Sequence, residues 1–314
     1  MNIKEIRKKF QNLQGVRDTI DQLQYDQSHI QWKRILGAGK SFAATAVAEQ
    51  VSGYHLFILQ DKEEAAYFYN DLQSLYTNDE NRVVFYPASY KVPYKIEDTD
   101  NANVVARSEA LDKVSKAQNT WVVTYPTALF EKVPTKQKLI EHSFKVEQGK
   151  EYSIDFLNEL LLEYAFQTVD FVYEPGQFAI RGGIVDVFSY AHDEPFRLEF
   201  FGDEVETIRT FDPVSQLSNK THSFFHVVPN FQHSIENEQN GSLLSFLGKQ
   251  TTLWLSSQKE IKAQLDREYQ KAVKIHGELP DTGITRSLPS ELFYHPSDWE
   301  KQAALFNQVE WGPD

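Results

Sequence analysis

The residues with the clearest chemical pattern in this chain lie in the run RILGAGKSFAAT, at positions 34–45. A phosphate-binding loop needs a glycine-rich turn at the start of a helix, followed by a Lys and a Ser or Thr. The backbone N–H groups of the turn cradle phosphate, and the hydroxyl binds magnesium. Gly39, Lys40 and Ser41 match the last three positions of this pattern, and Gly37 lies in the same turn.

The first position of the pattern is occupied by Arg34, where a phosphate-binding loop has glycine. A side chain at this position disfavours the turn that forms the phosphate cradle. ATP hydrolysis also requires a carboxylate at the end of an apolar strand, and the best candidates, Asp203 and Glu204, follow a glycine in a predicted hairpin. We therefore predict a vestigial nucleotide loop, with no catalytic residue, no metal and no cofactor in this chain.

The remaining residue types offer no other catalytic arrangement. The nine His residues are scattered without an HExxH motif, and no GxSxG nucleophile elbow is present. Cysteine is absent from the sequence, which excludes disulfides, zinc–thiolate sites and thiol nucleophiles and suits a reducing cytoplasm.

A second pattern lies in the run FRLEFFGDE. Side chains alternate between the faces of a strand, so Leu198 and its aromatic neighbours form a core face, while Arg197 and Phe201 share the opposite face. Aromatic and Arg side chains on an outward face are the types enriched in protein-binding hot spots. The alternative is that Phe201 packs under a neighbouring element and that Arg197 pairs with Glu199 or Asp203.

The elements around these two patterns change in character along the chain. From residue 29 onward, short apolar strands alternate with amphipathic helices, which is typical of a parallel sheet with flanking helices. After Thr127, a helix with Ser153 as its N-cap precedes short strands separated by turns, which indicates an antiparallel meander. The later strand TLWLSS and its helix suggest a return to the first sheet. We predict an α/β fold whose parallel sheet is interrupted by an α+β antiparallel insert.

Three helices show apolar side chains at helical spacing. The first is predicted to stop at Gly15. The second, KEEAAYFYNDLQSLY, is predicted to bury a stripe that includes Ala66, Tyr69 and Leu72, and the third a stripe that ends at Val273.

The charge balance limits the possible partners. The formal net charge is −13, and duplex DNA binds proteins largely through cations that displace its counterions. We therefore expect weak duplex binding at physiological salt. No apolar run is long enough to span a bilayer or to act as a secretory signal, so we predict a soluble, cytoplasmic chain without a membrane partner.

The run from Glu174 to Ser218, EPGQFAIRGGIVDVFSYAHDEPFRLEFFGDEVETIRTFDPVSQLS, closely resembles a module shared by the excision-repair protein UvrB and the bacterial transcription-repair coupling factor Mfd. It matches, nearly throughout, the pattern G-x-[YF]-x-x-RG-x-[IL]-[IVL]-D-[IVL]-F followed by R-[LIV]-[ED]-FF-x-[DE]-E. The upstream segments VVFYPASYKVPYKIEDTDNANVVARSEALDKV and WVVTYPTALFEKVP are similar to the same family, and the likeness weakens after about Pro229. Arg34 and the lack of an aromatic-rich DNA-clamping hairpin favour the coupling factor over UvrB.

The resemblance implies a vestigial P-loop domain of the helicase-like class that is split by an insert. Domain 1a would occupy residues 1–127, domain 2 residues 128–229, and domain 1b residues 230–314. The ATP- and magnesium-dependent DNA translocase of the full-length protein, and its contacts with RNA polymerase and DNA, would lie in other domains.

Domain 2 of this family binds the damage-recognition protein UvrA, and the resemblance places Arg181, Arg197 and Phe201 at that surface. We expect Phe201→Ala or Arg197→Ala to weaken binding with little effect on folding. Three alternatives remain open: an ATP-binding helicase or translocase-type domain that uses Lys40 and Ser41, a fragment of a UvrB-like excision nuclease subunit, and a structural clamp that restrains the motor.

Overall fold

Two units make up the part of the chain that the computed structural model describes, which is residues 3–35, 37–76, 82–94, 100–117, 119–229, 240–279 and 287–311. The first unit contains Met1–Ile96, Lys113–Val133 and Asn240–Asp314, and the second contains Glu97–Asp112 and Pro134–Gln239. The domain boundaries given above stay predictions.

In chain order the helices are α1 (Ile3–Gln11), α2 (Gln14–Gln22), α3 (Ala38–Ala48), α4 (Lys62–Leu75), α5 (Asn101–Lys116), α6 (Pro126–Leu129), α7 (Lys136–Glu141), α8 (Ile154–Glu163), α9 (Leu243–Leu247), α10 (Gln258–Glu278), α11 (Pro289–Leu292) and α12 (Trp299–Ala303). The strands are β1 (His29–Trp32), β2 (Tyr54–Ile58), β3 (Val83–Phe85), β4 (Trp121–Thr124), β5 (Phe144–Glu147), β6 (Gln167–Thr168), β7 (Gln177–Arg181), β8 (Ile184–Val187), β9 (Phe196–Phe201), β10 (Glu204–Phe211), β11 (Ser218–His222), β12 (Phe224–Val227), β13 (Thr251–Leu255) and β14 (Asn307–Trp311).

The first unit is built on a six-stranded parallel sheet with the strand order β1-β14-β13-β2-β4-β3. Every residue of β2 and of β13 is buried, as expected for central strands that are covered on both faces. The strand TLWLSS is β13, and it pairs directly with β2. The predicted α/β class, with helices beside a parallel sheet, is therefore confirmed. Neither the position of β1 at the edge of this sheet nor the strand β14 beside it was predicted from the sequence.

The helix α4 begins at a polar cap, and its buried face matches the predicted one only in part. Asp61 accepts the Glu64 backbone N–H at 2.8 Å and starts α4. The predicted Leu72 is buried, but Ala66 and Tyr69 are only partly buried, and the preceding residues Ala65 and Phe68 are buried in their place. The first helix ends at Gln11, and a second helix contains Gly15, so the predicted stop at this glycine is wrong.

In α10 the predicted apolar stripe is buried at its start and exposed at its end. Ile261, Leu265 and Ala272 are buried, whereas Val273 is 43% exposed. Four residues turn a helix by more than a full circle, so a repeated spacing of four rotates away from the starting face. Ala272 lies closer to the face of Ile261 than Val273 does.

The second unit contains a six-stranded sheet with the order β11-β10-β9-β8-β7-β6, in which β7 to β11 form an antiparallel meander. The helix α8 begins at Ser153, whose hydroxyl accepts the Phe156 N–H at 3.1 Å, as predicted. Leu157 and Leu161 from this helix pack on Leu198 and the other core-face side chains of the meander. The antiparallel insert is therefore confirmed.

Glycines shape the two hairpins that matter for the candidate site. Gly182, between β7 and β8, has φ +62°, and Gly202, between β9 and β10, has φ +64°. Two-residue hairpin loops need positive φ at their first position, which favours glycine. These turns place the last residues of β7 and β9, Arg181 and Phe201, at hairpin ends.

A buried histidine at the centre of the parallel sheet makes the first unit sensitive to acid. His55 Nδ1 accepts the Trp254 Nε1–H at 3.1 Å, and its Nε2 lies 3.0 Å from the Val51 carbonyl oxygen. Because an indole N–H only donates, the hydrogen of the neutral ring is on Nε2. Burial lowers the pKa of His55 to about 4.

We predict that the first unit loses stability as the pH falls from about 6.5 to about 4. The unfolded chain protonates His55 near its ordinary pKa, whereas the folded chain does not, so the loss reaches about 3 kcal/mol. All five Trp residues belong to the first unit, so tryptophan fluorescence during urea unfolding measures this unit alone. His55→Gln should flatten the pH dependence, and His29→Gln, at a side chain 59% exposed, should not. Parallel curves for His55→Gln and the wild type would contradict this.

Candidate protein-binding site

The last side chain on the outward face of β9 is large, apolar and exposed to solvent. Phe201 is 79% exposed at the end of the strand, and Leu198, on the opposite face, is 1% exposed. The predicted strand parity, with Phe201 on the outward face, is therefore confirmed. The alternative, in which Phe201 packs under a neighbouring element, is not what the second unit shows. A role of Phe201 in binding stays a prediction.

A fully buried carboxylate joins the two predicted arginines. Asp186, on β8, lies directly opposite Arg197 on β9 and has no exposed surface. Arg197 donates from Nε to Oδ1 at 2.7 Å and from Nη2 to Oδ2 at 2.9 Å. Arg181 also donates to Oδ2. The bidentate contact has the geometry of a strong charge-assisted pair.

Arg197 is held more tightly than its position in the sequence suggests. Its Nη1 donates to the Gln216 carbonyl at 3.2 Å, and its guanidinium carbon lies 4.5 Å from the centre of the Phe211 ring. Only 16% of the side chain is exposed. The hydrogen bonds to Asp186 raise the pKa of the Arg197 guanidinium above its ordinary value. The partner of Arg197 is thus Asp186, and Glu199 pairs with Arg209.

Arg181 keeps more of its surface in solvent than Arg197. Its side chain is 37% exposed, and its Nη1 donates to the Asp170 carbonyl at 2.6 Å. The guanidinium carbon lies 5.3 Å from the centre of the Phe171 ring. Both arginines predicted for the docking surface therefore meet at Asp186, whereas Phe201 lies further along β9.

A small apolar layer covers the centre of this outward face. Its buried members are Val172, Ala179, Phe188 and Phe211. Ala179 lies opposite Asp186, so the carboxylate sits inside this layer. The predictions above missed this layer and the role of Asp186, although an acidic residue inside the apolar run IVDV signals a buried, paired charge.

Exposed apolar side chains surround the paired arginines on two loops. Phe171 and Tyr173, between β6 and β7, are 51% and 54% exposed, and Val214 and Leu217, between β10 and β11, are 85% and 69% exposed. The side-chain amide of Gln216 donates to the Val172 carbonyl at 3.2 Å and so ties the two loops together. Apolar surface beside exposed cationic groups is typical of protein-binding sites.

The predicted nucleotide loop in the first unit has a left-handed backbone at two positions. Arg34 has φ +62°, a conformation that favours glycine, and Gly37, with φ +55°, is the N-cap of α3. Leu36 lies outside the described residues. Gly39 is in the first turn of α3, where an added Cβ would lie 3.8 Å from the Ile35 side chain.

The two side chains that would contact a nucleotide are bound to carboxylates of α4. Lys40 Nζ lies 3.2 Å from Glu64 Oε1, and the buried Ser41 hydroxyl donates to Asp71 Oδ2 at 2.7 Å. Both contacts tie the start of α3 to α4, and the carboxylate of Glu64 places a negative charge beside the Lys40 ammonium that a phosphate would contact.

The two carboxylates that the sequence offered for magnesium binding, Asp203 and Glu204, belong to the second unit. Asp203 is in the turn between β9 and β10, where its carbonyl accepts the Tyr152 N–H at 2.8 Å, and Glu204 pairs with Phe201 in the register of that hairpin. Within the described ranges, no group of three or more His, Asp or Glu side chains is placed to hold a metal ion.

We predict that Arg197→Ala destabilises the second unit by about 3 kcal/mol, because it leaves the buried Asp186 carboxylate with one partner. This revises the expectation from sequence that the substitution spares folding. The matched control is Arg209→Ala, directly opposite on β10, where both members of the Arg209–Glu199 pair are about one-third exposed. That surface pair should contribute at most about 1 kcal/mol. Hydrogen exchange of peptides from β8 and β9 measures the difference, and equal losses would refute the prediction.

Comparison with known proteins adds an independent line of observation. The family described as "UvrB interaction domain" matches residues 144–233, which include the meander and the paired arginines. A transcription-repair-coupling factor from Bacillus subtilis is 24% identical over 280 residues, covering 88% of this chain and 23% of that protein. The corresponding factor from Myxococcus xanthus is 36% identical over 136 residues, covering 43% of this chain and 11% of that protein.

A second class of relatives is also found. UvrABC system protein B from Thermosipho africanus is 26% identical over 195 residues, covering 58% of this chain and 29% of that protein. The chain thus spans less than a third of the length of each of these three relatives. Residues 144–233 are thus similar to the UvrB interaction domain, in a chain that is similar to transcription-repair-coupling factors and to UvrABC system protein B.

Proposed function

We propose that this chain is a non-catalytic docking module that binds UvrA and, in a longer coupling factor, recruits it to stalled RNA polymerase. The observation that carries the proposal is Phe201, a 79% exposed aromatic side chain inside the UvrB interaction domain, on the same sheet face as two Asp186-bound arginines. Exposed aromatic and Arg side chains are the usual anchors of such interfaces.

The proposed lack of catalysis rests on the vestigial loop. Lys40 and Ser41 are engaged by Glu64 and Asp71, and Arg34 replaces the glycine of the phosphate cradle. This weighs against the rival in which the chain is an ATP-binding motor domain. The ATP- and magnesium-dependent translocase, together with contacts to RNA polymerase and DNA, is proposed to lie in other parts of a longer protein, because the chain matches 23% of the Bacillus subtilis relative.

Two further alternatives share part of this proposal. Similarity to UvrABC system protein B supports a fragment of a UvrB-like excision subunit, which would use the same UvrA-binding surface. A structural clamp on the motor would place the surface against another part of the same protein. Binding to isolated UvrA separates the docking module from the clamp.

The proposed place of action is the cytoplasm, which suits a chain without cysteine. Across the described ranges, no helix combines the length and apolarity needed to cross a membrane. The net charge of −13 supports weak duplex binding by this chain itself.

We predict that Phe201→Ala weakens binding to UvrA by about 2 kcal/mol or more, because it removes an exposed aromatic anchor. Its effect on the free energy of unfolding should stay within about 0.5 kcal/mol. Isothermal titration calorimetry with UvrA and denaturant unfolding give the two quantities.

Leu198→Ala is the contrasting control on the same strand. Leu198 is buried against α8, so its truncation should cost about 2–5 kcal/mol of folding stability. If Phe201→Ala destabilises the fold as much as Leu198→Ala, Phe201 is a core residue. If Phe201→Ala folds normally and binds UvrA at full strength, the docking assignment is wrong.

We predict that ATP with magnesium does not raise the melting temperature of the chain. A nucleotide present far above its dissociation constant would add about 2–4 kcal/mol of stability. Differential scanning fluorimetry of the wild type and Lys40→Ala tests this. A magnesium-dependent stabilisation that Lys40→Ala abolishes would support the ATP-binding alternative and reject the vestigial loop.

A further inference from the structure

We propose that Asp186 is the positioning residue of the docking surface. Its carboxylate holds Arg181 in a fixed orientation towards the partner, and Arg197 on β9 holds the carboxylate itself in place. The inference rests on the proposed UvrA-binding function and identifies the group on which the geometry of that surface depends.

The two oxygens of Asp186 have separate tasks. Oδ1 accepts the Arg197 Nε–H, and Oδ2 accepts from both Arg197 and Arg181. Because one oxygen is shared, the two guanidinium groups are held at a fixed separation. Asp186 is fully buried, so water does not replace either arginine at the carboxylate.

The remaining contacts of Arg197 direct it inward. Its three guanidinium nitrogens all donate within the unit, to Asp186 and to the Gln216 carbonyl, and Phe211 lies beneath the group. Arg181 differs, because 37% of its side chain is exposed and it lies over the exposed Phe171 ring. A partner therefore meets Arg181 more readily than Arg197.

Electrostatics explains why a carboxylate is needed at this place. Two guanidinium groups that share one oxygen would repel each other without the negative charge between them. Glu199, which also lies on this face, is paired with Arg209 and hydrogen-bonded to Thr207. If the charge of Asp186 is removed, Arg181 keeps its contacts with the Asp170 carbonyl and the Phe171 ring but loses the ion pair that fixes the direction of its guanidinium group.

This arrangement also defines the chemistry of the partner surface. Asp186 and the two arginines carry a net charge of +1, which attracts a carboxylate. Phe201 and the apolar loop residues around the arginines require an apolar recess. The fitting surface of UvrA is an acidic or carbonyl-bearing patch beside a recess for one aromatic ring.

The test is a double-mutant cycle of UvrA binding with Asp186→Asn, Arg181→Ala and the combination. Asp186→Asn keeps the shape of the side chain and removes its charge. Each single variant should weaken binding by about tenfold or more, and the double variant should bind no more than about twofold weaker than the weaker single variant. Glu300→Gln, which makes the same change in net charge in the first unit at the Lys262 ion pair, should bind like the wild type.

Losses that multiply in the double variant would mean that Asp186 acts independently of Arg181, and this would overturn the inference. Full-strength binding by Asp186→Asn would do the same. Either outcome overturns only the role of Asp186. The proposed function is still supported if the wild type binds UvrA and Phe201→Ala weakens that binding. If the wild type does not bind UvrA, the proposed function fails and the inference fails with it.

A second variant covers the case in which Asp186→Asn does not fold, as judged by circular dichroism. Arg181→Lys keeps the charge and loses the planar fork that reaches both Asp186 and the Asp170 carbonyl. Binding as weak as that of Arg181→Ala would support orientation as the role of Asp186. Wild-type affinity would show that charge alone suffices, and the inference would be wrong.

Discussion

The outer face of the antiparallel sheet depends on one buried negative charge, the Asp186 carboxylate. An uncompensated carboxylate in an apolar layer costs several kcal/mol, so this side chain is compatible with the fold only when cations reach it. Arg197 does so from the strand opposite, and Arg181 from the end of β7. A shift of one residue between β8 and β9 would turn Asp186 or Arg197 towards the core. The ion pair therefore specifies the strand register, and that register leaves Phe201 at the exposed end of β9.

The first unit uses carboxylates in a comparable way at the predicted nucleotide loop. The backbone at Arg34 is left-handed, and Lys40 and Ser41 of α3 contact Glu64 and Asp71 of α4. In a phosphate-binding loop those donors face a ligand. Here they connect α3 to α4, so residues typical of nucleotide chemistry contribute to the packing of two helices.

Much of the fold could be predicted from sequence because it depends on local periodicity. The alternation in β9 correctly placed Phe201 outward and Leu198 inward, and Ser153 is the N-cap of α8. Periodicity identifies the faces of an element but not what covers them. The burial of Asp186 and Arg197 arises from Val172 and Phe211, which are brought together by tertiary folding. The strand β14 was missed for a similar reason, since its partners β1 and β13 lie far from it in the chain.

The interrupted strand order of the first unit has a consequence for the growing polypeptide on the ribosome. β2 lies between β4 and β13, and β1 pairs only with β14, whose residues are about 280 positions later. All strands of the antiparallel sheet are translated before β13. The meander can thus assemble while β2 still lacks its neighbour on one side, so the edge of a strand that is buried in the finished sheet stays unpaired during the synthesis of the whole insert. During that interval the unpaired edge of β2 can pair with the strand of another chain, which makes the nascent first unit the part of the protein most exposed to aggregation.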